Sequence, residues 1–245
     1  MKNSLRGIKK RNNMVRNIQT ELTNWAKILE SEKLCSNTTP ITNEIGKIRT
    51  NKLYHIQKLK LGPFNPPRNT IPSNICDLYT VLDVKFKLSE TNETDINNNI
   101  IEYSFNITFI GEGYDDKNYY SSFHLDYDTS DNADVVHPWF HFTYGGHGLK
   151  EEETGNVLLL TSPRLPYMPM DFFLGIDFIL SNFLRKTVYD KIKSNSMYKK
   201  ALEHSQCAIW KPYVLSIAHH WCKFSNCQYN LIDKDLSRHF VPTLI

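Results

Sequence analysis

Five residues between positions 124 and 141 carry the side chains best suited to chemistry: His124, Asp126, Asp128, His137 and His141. Imidazole and carboxylate together can hold a divalent ion or pass a proton. Their spacing places them on a hairpin with strands over 119–128 and 137–144. Strand side chains alternate between faces, so Phe123, Leu125 and Tyr127 share one side with Phe140, Phe142 and Tyr144. His124, Asp126, Asp128, His137, Trp139 and His141 fall on the other. If Asp128 faces His137, then Asp126 lies across from Trp139 and His124 across from His141. Residues i and i+2 on a strand are about 6.6 Å apart at Cα, a workable spacing for two ligands of one ion. His137 and His141 stand about 13 Å apart on a straight strand, too far to share one. The expected ligand set is therefore His124, Asp126 and His141 around Zn or Mn. Asp128 or His137 would act as general base on bound water, and Arg164, from a Pro-rich loop, would grip a phosphate in bidentate fashion. That chemistry is a metal-dependent nuclease or phosphodiesterase. The plainer alternative is a solvated polar face with cross-strand His–Asp pairs and no cofactor.

These residues need a scaffold, and the sequence supplies one. The segments 77–88 and 100–110 alternate apolar and polar residues, which reads as two more strands of an antiparallel meander with one apolar and one wet face. A shorter strand covers 53–61, after which Gly62-Pro63-Phe64-Asn65-Pro66-Pro67 is expected to break regular structure. Val157 to Leu160 reads as one more strand. A long apolar helix over 170–192 follows the Pro-rich run 161–169, and its Phe172, Phe173, Ile176, Ile179, Leu180, Phe183 and Leu184 suit the apolar side of the sheet. A further helix spans 196–210, with Pro212 opening another that ends near 221. The tail from Lys223 carries no readable pattern. The expected fold is one α+β domain over 1–245: a basic amphipathic helix within 1–33, a sheet region of five or six strands over 53–160, and helices over 170–222 on one face.

The N-terminal segment holds Lys2, Arg6, Lys9, Lys10, Arg11 and Arg16 with no acid before Glu21. Val15, Ile18, Leu22, Trp25 and Leu29 make an amphipathic stripe and predict a helix over 12–33. The stripe can pack on its own domain, form a seam with a protein partner or second copy, or carry a basic end to nucleic acid. A net charge of +3 does not by itself require a polyanionic partner. With 13 Phe, 13 Tyr and 4 Trp the chain can build a packed core rather than remain disordered. No run approaches the roughly 18 apolar residues of a membrane span, and no secretory signal is expected. Five cysteines, an odd number, point to reduced thiols and a cytoplasmic protein.

Two other groups have residue types suited to chemistry. His204/Cys207 and His219/Cys222 are i, i+3 pairs that could meet around a structural zinc if the chain turns at Pro212. Asp83-Val84-Lys85 has the acid-x-lysine order of metal nucleases, though the helix crossover of that fold is not expected here. No P-loop, dinucleotide fingerprint, nucleophile elbow or kinase signature is present. Finally, His137-Pro138-x-x-His141, Gly145-Gly146, Arg164-x-Pro166 and the Phe-rich helix behind them resemble patterns in uncharacterised bacterial proteins that accompany phage-defence or toxin–antitoxin genes. The resemblance implies a small component of a defence module and supplies no catalytic residues. The reading that combines these strands is a binding or assembly subunit of a bacterial multiprotein system, with the N-terminal helix as its contact.

Overall fold

A computed structural model describes residues 17–48, 53–88, 100–129, 136–145, 165–221 and 236–244. Among these residues six strands form one antiparallel sheet in the order β1 (Leu53–Phe64), β2 (Ile75–Leu88), β3 (Ile100–Gly113), β4 (Asn118–Tyr127), β5 (Phe140–Tyr144) and β6 (Leu165–Pro166). Each strand pairs with its sequence neighbour, the short-connection topology expected of a meander. Alternation decides the faces: Leu78, Leu82, Val84 and Phe86 of β2, Phe105, Ile107 and Phe109 of β3, Leu125 of β4 and Phe140 of β5 are buried. The intervening Asp83, Lys85, Glu102, Ser104, Asn106 and His124 remain partly open.

The helices are α1 (Ile18–Ser31), α2 (Thr39–Ile45), α3 (Phe172–Phe183), α4 (Lys186–Lys193), α5 (Ser196–Ser205), α6 (Lys211–Trp221) and α7 (Leu236–Phe240). One buried cluster draws on α1, the apolar face of the sheet, α3, α5 and Phe240 of α7. Trp25 of α1 lies at its centre, stacked on Tyr198 at 4.2 Å and edge-on to Phe173 at 5.1 Å. Close approach of α3 to the sheet requires Gly175, because a Cβ there would overlap the Phe105 ring. Two strand tyrosines fix the entry to α3. The Phe172 N–H donates to the Tyr54 hydroxyl at 2.8 Å, and the Met170 N–H to the Tyr103 hydroxyl at 2.9 Å.

Several sequence expectations change in detail. Helix α1 starts at Ile18, where the Asn17 side chain accepts the Thr20 N–H and caps it; residues 12–16 of the expected helix lie outside the described residues. Its stripe (Ile18, Leu22, Trp25, Leu29) is buried in the protein's own core; Val15 and the basic residues from Lys2 to Arg16 lie outside the described residues. The polar stretch 35–50 contains α2, which packs Ile41 into the core. Strand β1 does not end before Gly62-Pro63 but runs through to Phe64 across a register shift. Gly62 permits this with φ +118°, where a Cβ would sit 2.8 Å from the Leu78 carbonyl oxygen. The sixth strand is the pair Leu165–Pro166; the expected strand at 157–160 lies outside the described residues.

The apolar helix expected over 170–192 is two helices. Asp171 caps α3 through the Leu174 N–H, and Leu184 turns extended (ψ 151°), so α4 begins afresh at Lys186. At Pro212 the opposite holds: α5 and α6 are joined by a wide turn over Gln206–Trp210, closed by the Lys211 N–H on the Gln206 carbonyl. A residue pair five apart accommodates a proline that can neither donate nor tolerate the carbonyl four residues back. The chain therefore does not fold back there.

Candidate functional site

The β4–β5 hairpin forms because its apolar alternation matches the core on one side. Leu125 and Phe140 are fully buried, and Tyr127 stacks on Phe140 at 4.6 Å. The pairing is Asp126 with His141 and His124 with Thr143. This differs by two residues from the expected register, in which His124 faced His141. A two-residue slip returns every side chain to the same face, so the composition of the polar side survives while its neighbours change.

Residues 137–139 are not strand. The chain bends at Trp139, and the Pro138 carbonyl oxygen is 3.1 Å from His141 Nδ1. Two backbone bonds hold the bend: Asp128 N–H donates to the Trp139 carbonyl at 3.0 Å, and Trp139 N–H to the His239 carbonyl at 2.8 Å. The bend overturns the straight-strand estimate for His137 and His141. Their ring centroids are 4.2 Å apart, edge to face.

The result is a linked run of three imidazoles and two carboxylates. Asp126 Oδ2 lies 3.1 Å from His124 Nε2 and 3.7 Å from His141 Nε2, and Asp128 Oδ2 lies 3.7 Å from His137 Nε2. Exposure separates the two residue types: the His137 and His141 side chains are 8% and 5% exposed, those of Asp126 and Asp128 43% and 44%. The bond to Asp126 raises the His124 pKa above its ordinary value, against the opposing effect of burial. His137 Nδ1 is buried without a hydrogen-bond partner. Among the described residues no three His, Cys, Asp or Glu side chains converge as a set that could hold a metal ion. Arg164 lies outside the described residues.

Trp139 and His239 complete the neighbourhood, with rings stacked at 4.0 Å. Helix α7 brings His239 there because Phe240 is fully buried, stacked on Tyr213 at 4.4 Å. The sequence reading missed this element. Its signal was slight: Leu236 and Phe240 at i, i+4, with Pro242 just beyond.

The other candidate groups have structural partners where they are described. His204 is bonded to Glu21 of α1, and the helical run carries the backbone of residue 219 roughly 22 Å along the axis from it; Cys222 lies outside the described residues. Asp83 accepts the Lys58 N–H at 2.9 Å, pinning the β1 bulge where Lys58 takes φ 53°. Lys85 and Lys87 both bind Glu102, whose carboxyl is held down to about 2 by those two bonds. The acid-x-lysine triplet thus serves the sheet.

Comparison with protein-family models, with curated proteins and with solved structures finds no match. Among the described residues no helix is long and apolar enough to cross a membrane.

Proposed function

We propose that the protein is a binding subunit of a bacterial multiprotein assembly and that it makes its contact at the end of the β4–β5 hairpin. The observation behind this reading is the exposure of the Asp126 and Asp128 carboxylates over a floor of buried imidazoles. Carboxylates positioned in this way suit a Lys or Arg side chain of a protein partner, for which charge-assisted hydrogen bonds supply affinity and register. They repel phosphate, which disfavours nucleic acid as the occupant of this surface. The resemblance to proteins beside phage-defence or toxin–antitoxin genes supports a role in such a module. The test is co-purification from native cells of tagged wild-type chain and the double variant Asp126→Asn/Asp128→Asn. Loss of a stoichiometric partner from the folded variant is expected. Retention of that partner by the double variant, or its loss when only residues 1–16 are removed, would overturn the assignment of the contact.

A second reading starts from the two His–Asp pairings that His124 and His141 make to one Asp126 oxygen at 3.1 and 3.7 Å, which as placed do not form a metal-binding set. It is the metal-dependent phosphodiesterase or nuclease, with His124, Asp126 and His141 re-aimed around Zn or Mn, Asp128 or His137 activating water, and Arg164 steadying the phosphate. Stoichiometric metal in the purified protein, lost in His124→Ala and His141→Ala without loss of folding and accompanied by divalent-dependent cleavage of DNA or RNA, would replace the binding reading with this one.

A further inference from the structure

We draw no further inference here: the strongest candidate, the solvent-facing row Tyr79, Ile110 and Tyr120 across β2, β3 and β4 with the Lys60 ammonium 3.7 Å above the Tyr79 ring, is an unpartnered sheet face, and nothing in the structure shows what covers it.

Discussion

His124 gives the site a pH signature whose sign can be worked out. Its folded pKa is raised by Asp126, so the pairing stabilises the fold fully below the unfolded value near 6.5 and is lost as pH rises through the folded value. With Asp126 nearly half exposed, the gain should stay below about 1 kcal/mol. Denaturation midpoints of wild type and His124→Gln are expected to differ more at pH 5.5 than at pH 8.5. A gap that widens toward alkaline pH would contradict the pairing. In Asp126→Asn the His124 titration followed by NMR should move down. At this scale the sequence was legible in one respect and opaque in another. Alternation assigned His124, Asp126, Asp128, His137 and His141 to one face, because side-chain period is a property of the strand itself. It did not assign who faces whom, because any even register preserves the faces. Nor did it show that the chain leaves the strand with a bend at Trp139, which is what brings His137 onto His141.

Element boundaries depended on single residues that a periodicity argument passes over. The spacing of apolar side chains continues smoothly through Leu184, yet α3 stops there and α4 restarts. Pro212 looks like a helix start in the sequence, but the wide turn before it keeps α5 and α6 continuous. Edge protection is another element-level feature. Strand β1 forms one edge of the sheet, and its Gly62 N–H donates to the Leu34 carbonyl while its His55 N–H donates to Glu44 of α2. Open strand edges invite pairing between chains, so Glu44→Ala is expected to increase aggregation on heating, measured by light scattering, with little change in circular dichroism at 25 °C. The contact between α3 and β3 offers a sharper test. Ala has the higher helix propensity, worth about 1 kcal/mol over Gly in an exposed helix, but Gly175→Ala places its methyl against the Phe105 ring. Overpacking of this kind costs about 1–3 kcal/mol, so the variant should unfold at lower urea. A stabilised Gly175→Ala protein would mean that α3 does not lie this close to the sheet.

For the whole molecule, the decisive question is whether the N-terminal helix belongs to the fold or to a partner. The amphipathic stripe was plain in the sequence, but amphipathicity reports only that a face is buried, not against what. In the structure α1 packs on its own domain through Trp25, which is fully buried among Phe172, Phe173 and Tyr198 from the other end of the chain. Ile18, Leu22 and Leu29 extend the same contact, and Glu21 adds a bond to His204 of α5. Residues far apart in sequence thus share one core, and α1 is the layer that closes it. Removing Trp25 alone should cost about 3–5 kcal/mol by cavity formation and lost burial, a large share of the roughly 5–15 kcal/mol that holds a typical domain folded. Two truncations then separate the possibilities. Deletion of residues 1–16 spares every described core residue and should leave a single cooperative thermal transition. Deletion of residues 1–31 exposes the inner faces of α3 and α5, and the remaining chain should lose that transition and bind a hydrophobic dye. A chain lacking 1–31 that still melts cooperatively would place α1 outside the folding unit and return it to the role of a partner-binding helix.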